Sequence, residues 1–166
     1  MNYTDYIIDQ TEKLLAIDSP TGYTDHAARY VADVFRELGY HPTMTNKGGV
    51  IIDLGGRDAQ NGVLLETHLD TLGGMVSEIK SNGRLCLTPI GGMNANNAEA
   101  ENVHVVTKFN GTYEGTLQLI NASIHVNSDY NTTARAWNKM EVVLDAAAFS
   151  KADAGQLGIS TGDFVC

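Results

Sequence analysis

Thiols are nearly absent from this 166-residue chain: Cys86 and Cys166 are the whole supply, and they stand far apart. That excludes a disulfide framework and a cysteine-based zinc site. Basic residues are also few. Eleven Lys and Arg face 20 Asp and Glu, and the formal charge of -9 repels phosphate backbones, so no nucleic-acid partner is expected. No apolar run approaches the length that spans a bilayer, which leaves no membrane partner. The amino terminus, Met1-Asn2-Tyr3-Thr4-Asp5, lacks the basic start and apolar stretch of a secretory signal, so the expected location is cytoplasmic. What remains is an ordinary apolar content of 43% in a chain long enough to bury a core.

The apolar residues that are present fall into short periodic pieces. Asn2 to Ala16 reads as a helix with Asn2 or Thr4 as its cap, ended by Asp18-Ser19-Pro20-Thr21-Gly22. Thr24 or Asp25 opens a second helix, with Ala27, Val31, Val34, Phe35 and Leu38 on one face and Gly39 at its end. Thr43 to Asn46 and Val50 to Leu54 read as strands joined by a turn at Lys47-Gly48-Gly49, followed by a polar loop over 55–62. Further on, Asn82-Gly83 and Asn110-Gly111 are hairpin signals between alternating runs. Ala122 to Val126, Glu141 to Ala146, a short helix over 150–157 and a strand from Gly162 complete the pattern. Short strands at this spacing suggest a small barrel or sandwich.

Between the two halves lies Val63-Leu64-Leu65-Glu66-Thr67-His68-Leu69-Asp70-Thr71-Leu72-Gly73-Gly74, an aliphatic run ending in His-x-Asp. It reads as a strand buried on both faces. Side chains at i and i+2 of a strand share a side, so His68 and Asp70 point together while Leu69 turns away. An imidazole beside a carboxylate at the carboxyl end of such a strand lies where open α/β sheets place their chemistry. The other histidines have weaker cases. His26 and His41 read as solvated, His104 as the outward residue of an alternating strand, and His125 as a secondary candidate. Trp137 reads as an interface anchor or a core residue. The Gly-Gly pairs lack the context of a phosphate-binding loop.

The order of elements carries a resemblance, together with Leu64 to Gly73, Leu87-Thr88-Pro89-Ile90-Gly91-Gly92 and Leu157-Gly158-Ile159-Ser160-Thr161-Gly162-Asp163-Phe164-Val165. The chain resembles the tetrahedral and glutamyl aminopeptidases, cytoplasmic metallopeptidases with two metal ions in one site. The resemblance implies an α/β fold: the amino-terminal part of a catalytic domain over 1–74, an inserted dimerisation-type β-barrel over 75–147, and a return to the catalytic domain over 148–166. It implies that His68 ligates a metal and that Asp70, its catalytic helper, orients it from behind. Thr71 stands where family members often carry Glu.

The implied reaction is hydrolysis of amino-terminal residues from peptides. Two divalent ions, zinc or cobalt, would polarise the scissile carbonyl and acidify a bridging water while a Glu takes its proton. The family's remaining ligands and its Glu-Glu pair have no counterpart here, since neither Glu-Glu nor Asp-Asp occurs in the chain. The chain is therefore expected to be about the first half of such an enzyme, inactive alone and with weak or no metal binding, and to form a homo-oligomer through its β-domain. The alternative is a non-catalytic oligomerisation or interaction module derived from such a peptidase.

Overall fold

The computed structural model describes residues 2–58 and 60–166, so Met1 of the amino terminus and Ala59 of the expected polar loop lie outside the described residues. The chain divides into two compact units, Met1–Thr71 and Leu72–Cys166.

The first unit begins with α1 (Tyr3–Leu15), whose start is held by the Asn2 side chain accepting from the Thr4 amide at 3.1 Å. This satisfies one of the amides that a helix leaves open at its first turn. α2 (Asp25–Glu37) follows and buries Ala27, Ala28 and Ala32. The expected face was wider: Val31, Val34 and Phe35 are only half-buried and Leu38 is exposed. β1 (Thr43–Met44) and β2 (Val50–Ile51) pair antiparallel across the Lys47-Gly48-Gly49 turn.

The buried strand expected to open the stretch over 63–74 does not form, and only its last two residues, Gly73 and Gly74, are in a strand. Residues 62–70 belong to no strand, and Val63, Leu64 and Leu65 are exposed at 86%, 85% and 79%. The physical reason is pairing. A strand exists by exchanging backbone hydrogen bonds with neighbours, and this segment's ladder contact among the described residues is one isolated parallel bridge, Pro20 with Thr71.

The second unit is a closed, all-antiparallel, six-stranded barrel in the order β3-β4-β7-β6-β5-β8. Its strands are β3 (Gly73–Ile79), β4 (Leu85–Ile90), β5 (Asn102–Val106), β6 (Thr112–Leu119), β7 (Met140–Leu144) and β8 (Phe164–Val165). Closure removes edges, so each strand's backbone finds partners on both sides. Both Asn-Gly signals are hairpin turns, and the register slips by one residue at a bulge between Val76 and Glu78. Leu85, Leu117, Leu119, Met140, Val142, Val76 and Val105 fill the interior. Gly115 is required in β6, because a Cβ there would come within 2.7 Å of the Val143 carbonyl oxygen on β7.

The short apolar piece Ala122 to Val126 is irregular, with Ile124 and Val126 exposed. Residues 148–166 lie in the second unit: α4 (Lys151–Gln156) buries Ala154 in the barrel core, and β8 pairs with both β3 and β5. Without β8 the barrel would be open between β3 and β5, which is why the final residues stay with it. Between β4 and β5 lies a single helical turn, α3 (Ala95–Ala98).

Outside the core, the barrel is fastened by two charged clasps. Glu141 is fully buried on β7 and accepts from Lys80 at 2.6 Å and from Arg84. Arg135 grips both oxygens of Glu99 (2.7 and 3.1 Å), donates to the carbonyls of Tyr130 and Thr133, and stacks 4.7 Å from the Tyr130 ring. This second clasp orders the end of the long irregular stretch before β7. Trp137 sits in a 3₁₀ turn, half-buried against the barrel core, as the core reading anticipates.

Candidate functional site

His68 and Asp70 meet as their spacing suggested. Nδ1 of His68 lies 3.0 Å from Oδ1 of Asp70 and 3.0 Å from the Asp70 carbonyl oxygen. Both partners are acceptors, so the hydrogen-bond network assigns the proton to Nδ1. In the neutral ring this leaves the lone pair on Nε2, the arrangement that prepares a histidine to bind a metal through its far nitrogen. The imidazole is open to solvent, at 82% side-chain exposure against 37% for Asp70.

What holds Asp70 comes from the other end of the unit. Thr21 Oγ1 donates to Asp70 Oδ2 at 2.6 Å, so the two carboxylate oxygens have separate partners. Beside it, buried Ser19 makes two bonds to the same segment: its hydroxyl donates to the Leu69 carbonyl at 3.1 Å, and its carbonyl accepts from the Thr71 amide at 2.9 Å. Asp70 titrates below the usual carboxylate range, first because of the Thr21 hydroxyl and then because of His68. These hydrogen bonds favour the charged form.

Sequence reading took Asp18-Ser19-Pro20-Thr21-Gly22 as a helix stop and missed its role as the seat of the His68–Asp70 pair. No local signal could reveal it, since Thr21 and Asp70 are 49 positions apart.

The remaining histidines do not join the pair in a metal-binding cluster. Among the described residues there is no group of three or more His, Cys, Asp or Glu side chains that could hold a metal ion. His26 packs against Tyr23, with ring centroids 5.6 Å apart. His104 lies on β5 at an exposed position, as alternation predicts, and His41 and His125 are exposed. Among the described residues no helix is long and apolar enough to cross a membrane.

Comparison with known proteins shows what the whole chain is similar to. The model of the M42 glutamyl aminopeptidases matches residues 48–166. YhfE of Bacillus subtilis (strain 168), a provisionally named aminopeptidase, is 38% identical over 154 residues, covering 93% of this chain and 44% of its own length. Aminopeptidase APDkam598 from the archaeon Desulfurococcus kamchatkensis has a similar structure, with a TM-score of 0.83 at 23% identity, over 99% of this chain and 43% of that one. The TET1 peptidase of Pyrococcus horikoshii, which can assemble into a tetrahedron or a large octahedral shell, superposes with a TM-score of 0.74 at 24% identity, over 95% of this chain and 45% of that one. The chain thus spans less than half the length of the relatives it matches. The solved structures establish the fold, a mixed α/β chain with a closed six-stranded barrel. With a family model over most of its residues and a relative at this level of identity, the chain belongs to the M42 glutamyl aminopeptidase family.

Proposed function

We propose that this chain forms the amino-terminal part of a cytoplasmic, metal-dependent aminopeptidase that removes amino-terminal residues from peptides. In this reading His68 is a ligand to one of two divalent ions, zinc or cobalt, through Nε2. Asp70 stands behind it as the orienting group. The observation that carries the reading is the His68 Nδ1–Asp70 bond, made in a member of the M42 family. A carboxylate on the rear nitrogen fixes the tautomer and raises the basicity of the ligating one.

His68 and Asp70 fit part of a metal site and not a whole one. An open catalytic zinc takes about three protein ligands, and no such group occurs among the described residues. We therefore derive no hydrolytic step from this chain, and we assign it no activity by itself. The test is direct. The 166-residue chain is incubated with a chromogenic aminoacyl substrate and added zinc or cobalt, beside the His68→Ala variant. The expected result is no turnover in either, with zinc binding weaker than about micromolar, as a one-imidazole site should show. Turnover that His68→Ala abolishes would overturn the reading of an incomplete site.

A second reading has its own support. The barrel is fully closed and packed, and a structurally similar relative, the P. horikoshii TET1 peptidase, builds shells. The chain would then act as a non-catalytic module that forms homo-oligomers through the barrel. Light scattering of the isolated chain tests this second reading: a stable oligomer is required by it, and a monomer removes it.

A further inference from the structure

Three Asn-Gly dipeptides occur in the chain, Asn61-Gly62, Asn82-Gly83 and Asn110-Gly111. This dipeptide is prone to spontaneous rearrangement because glycine presents no Cβ to hinder attack by its own amide nitrogen. The reaction still requires that nitrogen to be free and the asparagine side chain to swing onto it. Among the described residues the Gly83 amide is engaged while those of Gly62 and Gly111 donate to no partner, and the three asparagine side chains are held differently.

At Asn82-Gly83 the glycine amide is engaged, donating to the Lys80 carbonyl at 3.0 Å, and the Asn82 side-chain oxygen accepts from the Arg84 amide at 3.2 Å. At Asn110-Gly111 the side chain is pinned. Its Nδ2 faces the Leu157 carbonyl at 3.4 Å and lies so close to Gly158 that a Cβ there would stand 2.3 Å away. The Asn110 amide donates to Thr107 Oγ1, and the same hydroxyl donates to the Gly111 carbonyl. Asn61-Gly62 is held only from within its own exposed loop. Both residues are exposed in irregular chain, and the Gly62 amide donates to no partner among the described residues. One bond holds the Asn61 side chain, from Nδ2 to the exposed Asp58 carboxylate at 2.6 Å.

We propose that Asn61 is a site of spontaneous deamidation and isomerisation, selected from three chemically equal dipeptides by the fold. The Gly62 nitrogen bonds to Asn61 Cγ, the Cγ–Nδ2 bond breaks, and ammonia leaves with the proton from the Gly62 amide. The succinimide then adds one water. Opening at Cγ gives aspartate, and opening at the main-chain carbonyl gives isoaspartate, with one extra backbone carbon just before the segment that carries His68. Either product sets a new carboxylate beside Asp58.

Trypsin separates the three sites into the peptides 58–80, 81–84 and 109–135, so each can be followed by mass, with fragmentation to place the change at Asn110 among the asparagines of 109–135. The folded chain is held in mildly alkaline buffer, and the gain of one mass unit and the isoaspartate content are measured over time. Asn61 is expected to convert about tenfold faster than Asn82 or Asn110, the scale set by opening one or two hydrogen bonds. Gly62→Ala should slow it while leaving the circular dichroism unchanged, because a Cβ at position 62 meets nothing within 4 Å. In denaturant the three rates should converge. Equal rates in the folded chain, a slower Asn61, or rates that stay apart in denaturant would each overturn the proposal.

Discussion

In the barrel, Leu85, Leu117, Leu119, Met140 and Val142 are all but inaccessible to water, whereas the buried apolar side chains described in residues 2–71 are Ala27, Ala28, Ala32 and Pro20. The first unit leaves Tyr3, Ile7, Leu15, Ile51, Val63, Leu64 and Leu65 exposed. Both regions contain runs of Val, Ile and Leu. They differ in whether the unit itself supplies the partners. Each barrel strand has two neighbours from the same unit, so backbone pairing and apolar burial reinforce one another. Among the described residues the run at 63–65 pairs with no strand. An apolar pattern is thus a tendency toward burial, and burial itself depends on a second surface.

The sharpest way to break this contrast is to remove the same side chain from each region. Leu117→Ala should destabilise the barrel by about 2–5 kcal/mol through lost burial and the cavity left behind. Leu64→Ala should change stability by less than about 0.5 kcal/mol, as exposed substitutions do. Urea unfolding followed by Trp137 fluorescence for the barrel and by far-ultraviolet circular dichroism for the helices of the first unit reads the two, and equal effects would erase the distinction. A smaller effect is expected at the barrel's clasp. Arg84→Ala leaves the buried Glu141 with Lys80 as its partner and should cost about 1–3 kcal/mol by the same measurement.

The smallest effect belongs to the candidate site. Thr21→Val removes the hydroxyl that chiefly holds Asp70 down, so the Asp70 carboxyl should titrate closer to the ordinary range in an NMR titration. The sign follows from the depressed value. The stabilisation that Thr21 and His68 draw from charged Asp70 is present above the ordinary carboxylate range and is lost as pH falls through the lowered value. A titration unchanged by Thr21→Val would show that the hydroxyl does not support the pair.

Much of the fold was legible because its signals are local. The Asn2 cap, the Lys47-Gly48-Gly49 turn and the Asn-Gly turns at 82 and 110 each act within a few residues, and each stands where the pattern put it. The meeting of His68 with Asp70 was legible for the same reason: two positions of extended chain bring them to one side. The strand expected to open the stretch over 63–74 was misread because the same aliphatic run is strand or bare segment according to what lies beside it. The seat that Ser19 and Thr21 form for Asp70 was invisible, as was the return of Phe164–Val165 to the barrel. Those contacts join residues far apart in sequence.

By itself, then, the amino-acid order determined where helices and hairpins begin and end, and it set an imidazole beside a carboxylate. Tertiary structure decided which apolar runs are covered, which strand closes the barrel, which threonine lowers the titration of Asp70, and which of three Asn-Gly pairs is held only from within its own loop. The division has a simple cause. Steric and hydrogen-bonding preferences between near neighbours are written into adjacent residues, while pairing and burial depend on surfaces that meet only once the chain has folded.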